Sequence, residues 1–221
     1  MTTARIDEYQ SGDPYKVEWA PFHAARRDIT LKLAQKCIRT GNRVIDIGCG
    51  RGHITDLLRR VLPDCLVIGL DRSREAIRYA TEYYPDTGFI CTSDFPAEIG
   101  EFNLAILGNV IEHIPDPIAL LRSIPLVAGG YVIISTPSRF RLANILRAIC
   151  YRPLAFMSPY HLTEYTPGQV EEILRASGYA VVDIMGSYAG GGHRVIRGIF
   201  AVFVPGPCLA ETVFAVARRE R

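Results

Sequence analysis

Val44-Ile45-Asp46-Ile47-Gly48-Cys49-Gly50-Arg51-Gly52, running on into His53-Ile54-Thr55-Asp56-Leu57-Leu58-Arg59-Arg60-Val61, decides the fold. The first four residues are apolar except for Asp46 and make a short buried strand. Glycines at 48, 50 and 52 then form a tight loop in which the backbone turns sharply and a ligand can approach it closely. Ile54, Leu57, Leu58 and Val61 stand at i, i+3, i+4 and i+7, the spacing of one helix face, and Pro63 ends that helix. The segment is therefore a strand, loop and helix unit.

The unit repeats downstream, and a helix precedes it. Upstream, Ile29, Leu33, Ala34, Cys37 and Ile38 recur at helical spacing until Thr40-Gly41-Asn42 closes the helix. Downstream, residues 66–70 read as a strand, Ser73 as the N-cap of a helix to about Tyr84, and residues 88–91 as a third strand. Residues 104–107 and 131–134 read as a fourth and fifth strand around a helix from about Asp116 to Ile124. Continuous apolar strands alternating with amphipathic helices call for a parallel sheet covered on both faces. Right-handed crossovers make it a doubly wound α/β sheet.

The last third changes pattern. Leu142, Ile145, Leu146 and Ile149 mark an inserted helix with Arg139, Arg141 and Arg147 around it. Thr166-Pro167-Gly168-Gln169 reads as a capping box with Pro at the first helical position, opening a helix that Gly178 terminates. Residues 179–184 and 212–217 are expected to form a final antiparallel pair, joined by a glycine-rich stretch at 189–192 and an apolar one at 199–204. No repeat or linker divides the 221 residues, so a single domain is expected.

Composition narrows the function classes. The formal charge of +2 provides no clustered basic footprint, which argues against nucleic acid as partner. Six scattered cysteines, with no C-x-x-C pair and no Cys/His cluster at zinc spacing, read as thiols of a reducing cytosol and give no metal site. Residues 1–10 carry Arg5, Asp7 and Glu8 and lack the apolar core of a signal peptide. The longest apolar run, 198–210, is broken by Pro205 and Pro207 and is too short to span a bilayer, although a peripheral membrane contact there stays open. A cytoplasmic protein of undetermined oligomeric state is expected.

In an open parallel sheet, ligands bind beyond the carboxyl ends of the strands where the strand order reverses, which puts the glycine loop at the centre of interest. A dinucleotide fingerprint has glycine at its first, third and sixth positions, but here the sixth is His53 and the third glycine falls on the fifth. No Gly-Lys-Ser/Thr closes a P-loop. Asp71 ends the second strand where a carboxylate accepts from a ribose diol, and Ser93-Asp94-Phe95 offers an acceptor for an adenine amine beside an aromatic ring. A carboxylate between Ile45 and Ile47 in a buried strand is costly without a partner, so Asp46 also reads as a ligand contact rather than a mere cap.

Four segments in order, Val44 to Gly52, Gly69-Leu-Asp-Arg-Ser73, Ser93-Asp94 and Asn109-Val-Ile-Glu-His-Ile-Pro-Asp116, resemble the motifs of class I S-adenosylmethionine-dependent methyltransferases. The branch they look most like holds the ubiquinone- and menaquinone-pathway enzymes and small-molecule methyltransferases. The resemblance implies a seven-stranded Rossmann-like sheet with its last strand antiparallel, and S-adenosyl-L-methionine as cofactor. It further implies that Asp46, Gly48, Cys49, Gly50 and Gly52 hold the methionine end, and that Asp71, with Arg72 and Ser73, holds the ribose. Ser93 and Asp94 would hold the adenine, while Asn109 and Val110 line the donor pocket. It also places residues 1–28 as a cap over the donor, with Arg27 on the donor carboxylate beside His23 and Arg26, and residues 138–165 as a lid. Tyr9, Tyr15 and Trp19 would close the pocket or pack the leader.

Methyl transfer from a sulfonium is an in-line displacement, so the protein mainly aligns donor and nucleophile and excludes water. A hydroxyl or amine nucleophile must lose a proton, a task suited to a histidine. His161, or failing that His113, is the expected base, with Glu112-His113 alternatively orienting the substrate. The acceptor is expected to be a small organic molecule, methylated on oxygen, nitrogen or carbon and held by residues 138–165 and 189–207. An apolar lid at 199–204 suits a lipid-like or polyketide acceptor, whereas Arg139, Arg141, Arg147 and Arg152 suit an anionic sugar or carboxylate. The rival readings are a non-catalytic S-adenosylmethionine-binding platform and, against the glycine spacing, a nucleotide-dependent oxidoreductase or epimerase.

Overall fold

The computed structural model describes residues 21–187, 207 and 209–220. Its strands are β1 (Arg43–Ile47), β2 (Leu66–Asp71), β3 (Gly88–Cys91), β4 (Phe102–Gly108), β5 (Leu126–Pro137), β6 (Tyr179–Ser187) and β7 (Thr212–Arg219). They form one seven-stranded sheet in the order β3-β2-β1-β4-β5-β7-β6. The first five are parallel, and β7 runs antiparallel to both β5 and β6. Because β1 pairs with β2 on one side and with β4 on the other, the order reverses beside β1 and a crevice opens between the loops that follow β1 and β4.

Helices α1 (Pro21–Cys37), α2 (His53–Val61), α3 (Arg74–Tyr83), α4 (Pro117–Ser123), α5 (Leu142–Ile149) and α6 (Pro167–Ala176) complete the described elements, with 3-10 turns at Ala97–Ile99 and Ile111–His113. On one face of the sheet Val44, Leu104, Ile106, Ile133, Phe214 and Val216 pack with Leu33 and Ala34 of α1 and Leu58 of α2. On the other, Ile45, Ile47, Ala105, Leu107, Ile134 and Ala215 pack with Leu121 of α4 and Val170 and Leu174 of α6. Neighbouring strand residues point to opposite faces, so a strand covered on both sides must be apolar throughout. Each wholly buried leucine, such as Leu58 or Leu174, contributes roughly 1.5–3 kcal/mol.

The helix starts follow their side chains. Ser73 Oγ accepts from the Ala76 N–H at 3.2 Å, and Asp116 Oδ1 accepts from the Ala119 N–H at 2.9 Å ahead of Pro117. At α6 both halves of the capping box form: the Gln169 N–H donates to Thr166 Oγ1 (3.2 Å) and the Thr166 N–H to Gln169 Oε1 (2.9 Å).

Three boundaries differ from the sequence reading. Helix α1 starts at Pro21 rather than near Ile29, which makes Arg26 and Arg27 helical. Strand β5 begins at Leu126, which pairs with Phe102; the register is irregular across 127–130, where Gly129 and Gly130 interrupt the apolar run, and resumes with Tyr131 opposite Leu104. Strands β6 and β7 reach Ser187 and Arg219 because the β7 termini still pair after the apolar alternation has stopped. No helix among the described residues is long and apolar enough to cross a membrane. Tyr9, Tyr15, Trp19, the side chain of His23 and the stretches 189–192 and 199–204 lie outside the described residues.

Candidate active site

The loops after β1, β2, β3 and β4 converge on a cavity of about 650 Å³, within the range of roughly 300–1,000 Å³ usual for small-molecule sites. Asp46, Gly48, Cys49, Gly50, Asp71, Arg72, Ser73, Ser93, Asp94, Asn109, Val110 and Arg27 all line it, as do His113 and His161. Gly52 does not. It sits beneath the loop as the left-handed residue before α2, and a Cβ there would meet the Phe89 ring at 2.5 Å and Ala80 at 2.8 Å. Its place is set by packing under the loop.

The loop is held by β2. The Gly48 and Cys49 N–H groups both donate to the Leu70 carbonyl, at 2.8 and 2.9 Å, and the Gly50 N–H donates to Asp71 Oδ2 at 2.8 Å. The Ser73 N–H donates to Asp71 Oδ1 at 2.8 Å. Both oxygens of Asp71 are thus pinned by backbone, and each keeps a further lone pair. Gly48 has φ +71°, and a Cβ there would lie 2.6 Å from Val110 Cγ2. Asn109, at φ +59°, occupies the left-handed region that asparagine tolerates, and its N–H is tied to the Ser135 carbonyl at 2.8 Å.

Electrostatics distinguish the carboxylates. Asp46 is buried at the end of β1 and accepts from Thr55 Oγ1 at 2.7 Å. Burial lifts it to about 7, against the opposing pull of the Thr55 hydroxyl and the Arg26 charge. Arg26 lines the cavity facing Asp46 and Glu112 without a hydrogen bond to either, and burial lowers its own pKa. Arg27 instead pairs with Asp28 at 2.8 Å. Burial also raises the Cys49 thiol well above its ordinary value, so Cys49 stays protonated and is no nucleophile. Asp94 is exposed, with Ser93 Oγ donating to its Oδ2 at 3.2 Å.

Facing these loops, the insertion between β5 and α6 brings His161 to His113, with ring centroids 5.0 Å apart and edge to face. Backbone sets the approach: the Leu162 N–H donates to the Glu112 carbonyl at 2.8 Å, and His113 Nδ1 lies 3.1 Å from the Tyr160 carbonyl. A carbonyl only accepts, so His113 Nδ1 carries the proton and Nε2 the lone pair. Burial holds His113 down at about 4, which keeps the ring neutral at physiological pH. Beneath it Glu112 is fully buried, accepts from Thr136 Oγ1 at 3.0 Å and has no partner for Oε1. Burial raises Glu112 to about 7. Donor atoms of Glu112, His113 and His161 lie within 4.8 Å of one another. Each of the three residues already engages a protein group, Thr136, Tyr160 and Glu164 respectively.

Residues 18–184 match the family model described as a methyltransferase domain. The chain belongs to this methyltransferase family. A ubiquinone biosynthesis O-methyltransferase of Paraburkholderia phymatum is 27% identical over 187 residues, covering 79% of this chain and 74% of that protein. A probable S-adenosylmethionine-dependent methyltransferase of Mycolicibacterium smegmatis is 28% identical over 165 residues, covering 73% of this chain and 60% of that one. The chain thus spans about three fifths to three quarters of these relatives' lengths. The structure of the N-methyltransferase NodS from Bradyrhizobium japonicum WM9, in complex with S-adenosyl-L-homocysteine, shares the fold with a TM-score of 0.64 at 15% identity, over 99% of this chain and 97% of that one. The methyltransferase uses S-adenosylmethionine as its cofactor. Neither the platform nor the oxidoreductase reading is favoured.

The residues present in the methyltransferase fit that cofactor chemically. Asp71 offers two oriented acceptors to a diol, Arg26 a guanidinium to a carboxylate, and Asp46 a buried carboxylate to a cationic group. Sequence reading chose Arg27 over Arg26, because the start of α1 and therefore its inward face were not visible. It also passed over Thr55 and Glu164, and assigned Arg141 to an anionic acceptor, whereas Arg141 is buried against Glu164. Thr55 had a signal, being a lone hydroxyl on a buried helix face opposite Asp46. The pairing of Glu164 with Arg141 had none, since the two are 23 positions apart.

Proposed function

We propose that this methyltransferase modifies a hydroxyl oxygen of a small organic acceptor, with His161 as the general base and His113, itself a neutral imidazole, beside it. The observation that carries this reading is the placing of both imidazoles in one cavity with the glycine loop, His113 with its Nε2 lone pair set by the Tyr160 carbonyl. The acceptor hydroxyl loses its proton to His161 as its oxygen forms the new bond to carbon. The cofactor supplies an electrophilic methyl carbon on a sulfonium and is released as S-adenosylhomocysteine. The name of the Paraburkholderia relative supports oxygen as the methylated atom.

On the donor side, Asp71 accepts from the ribose hydroxyls, with Arg72 and Ser73 flanking it, and Ser93-Asp94 meets the adenine. Asp46 and Arg26 take the ammonium and carboxylate of the methionine end, with Arg27 at the rim. Gly48, Cys49, Gly50, Asn109 and Val110 shape the wall. Residues 1–28 act as the cap and 138–165 as the lid of a single domain. Because a cation beside Asp46 favours its ionised form, donor binding releases a proton and strengthens as pH rises through about 7.

Thermal shift with S-adenosylmethionine, S-adenosylhomocysteine and NAD tests the donor: the first two stabilise, and a response to NAD alone would sink the reading. With catechol as acceptor, His161→Asn loses about 10²–10⁴-fold in kcat while keeping its affinity for S-adenosylhomocysteine. An unchanged rate and pH profile removes His161 from the chemistry. Activity abolished by EDTA and restored by Mg²⁺ would replace proton transfer with metal binding at the two imidazoles.

A further inference from the structure

Residues 138–163 contain no acid, yet the insertion is organised around one carboxylate. Glu164 is fully buried. Its Oε2 accepts from Arg141, and its Oε1 accepts from both the Met157 N–H and His161, whose Nδ1 lies 3.0 Å away. Arg141 also donates to the Ser138 carbonyl at 3.2 Å and to the Ala155 carbonyl, so it is itself fixed to the start and the middle of the inserted segment. Burial alone would raise Glu164, but hydrogen bonds from His161, Met157 and Arg141 together hold it below the usual carboxylate range. It is ionised and can only accept, and the proton of the shared bond therefore sits on His161 Nδ1. In the neutral ring, Nε2 is then the nitrogen with a lone pair.

We propose that Glu164 is a positioning residue of the methyl transfer, a buried carboxylate that fixes the tautomer and ring plane of His161 and is itself oriented by Arg141. This rests on the reading of His161 as the base. The same carboxylate binds the Met157 amide, so the lid backbone and the base are set by one group, and a lid out of place loses the base with it. The other charged or titratable groups around His161 are His113 and Glu112 on the turn after β4, Arg26 on α1 through Glu112, and Tyr165. None of these holds His161 Nδ1.

Glu164→Gln separates positioning from folding because it keeps the shape. The remaining carbonyl oxygen of glutamine turns to the Arg141 guanidinium, since an amide NH₂ against that cation would place donor on donor. The NH₂ then faces His161 Nδ1 and gives up the bond from the Met157 N–H; it makes Nδ1 an acceptor, which moves the ring proton to Nε2, the wrong side for a base. In ¹⁵N-histidine-labelled protein saturated with S-adenosylhomocysteine, long-range ¹H–¹⁵N spectra give wild-type His161 as the Nδ1–H tautomer and Glu164→Gln as Nε2–H. The variant keeps its S-adenosylhomocysteine affinity and loses about 10²–10⁴-fold in kcat with catechol. An Nε2–H tautomer in the wild type overturns the proposal, and that measurement stands even if the variant fails to fold. So does a Glu164→Gln protein that keeps both tautomer and rate while His161→Asn is inactive. A fully active His161→Asn protein instead overturns the base assignment itself.

Discussion

On the wall formed by the loops after β1, β2 and β4, position is fixed by backbone: three loop amides bind the end of β2, and a fourth, from Ser73, completes the hold on Asp71. On the opposite wall, residues 138–165, backbone bonds to Glu112 set the approach, and the segment's interior is fixed by side chains gathered on Glu164. The first arrangement needs glycine at defined positions and tolerates variety in the side chains between them, which is why Cys49 and Arg51 can occupy a loop whose shape carries the role. The second needs particular side chains and little else, and it leaves Phe140, Leu146, Ile149 and Phe156 substantially exposed on its outer side. One wall can stay constant for a constant donor, while the other is free to vary with the acceptor.

Breaking the side-chain wall should have the largest effect. Arg141→Met leaves Glu164 buried without its cation, a change that costs about 3–5 kcal/mol locally. Hydrogen exchange over 141–165 should speed up accordingly, while exchange over 43–71 and the affinity for S-adenosylhomocysteine change little. Loss of donor binding together with the insertion would show that the two walls are not independent.

The backbone wall is broken by a single methyl group. Gly48→Ala places a Cβ at φ +71° and 2.6 Å from Val110 Cγ2, costing about 1–2 kcal/mol for the left-handed backbone and about 1–3 more for the overlap. Adding Val110→Ala should recover only the overlap portion in chemical denaturation. Full recovery would mean that the glycine is kept for space and not for its backbone angle.

The same contrast governs what the sequence reveals. The strands were legible because both faces are covered, and Asp46 and Asp71 because a carboxylate at the end of an apolar run has few structural reasons to be there. Strand β5 was read short because Gly129 and Gly130 broke its pattern. Arg26 was hidden because the face of a helix cannot be chosen before its start is known. His161 was legible as a residue type in an insertion. Its partner Glu164 lies only three positions on, but nothing local marks that acid as buried, since the bond from Arg141 that holds it exists only once 23 residues have folded back. Local signals reveal walls made of backbone, and walls made of long-range side-chain contacts need the fold.

The smallest effect is expected where the walls meet, at Glu112, whose carbonyl holds Leu162 while its carboxylate is buried with Oε1 unpartnered. Its folded pKa is raised from 4.5 to about 7. Between those values the folded chain holds a proton that the unfolded chain does not, so its contribution to stability falls as pH rises from 4.5 through 7 and then levels off. Glu112→Gln removes that slope and keeps an acceptor for Thr136. The variant should be more stable than the wild type at pH 8 by about 1–3 kcal/mol, with the gain vanishing at pH 5. Burial of His113 acts in the opposite direction, since its folded value of about 4 makes stability fall as pH drops below 6.5. A gain from Glu112→Gln that is equal at pH 5 and pH 8 would mean that the carboxylate titrates alike in the folded and the unfolded chain, and that burying its charge where the walls meet costs nothing.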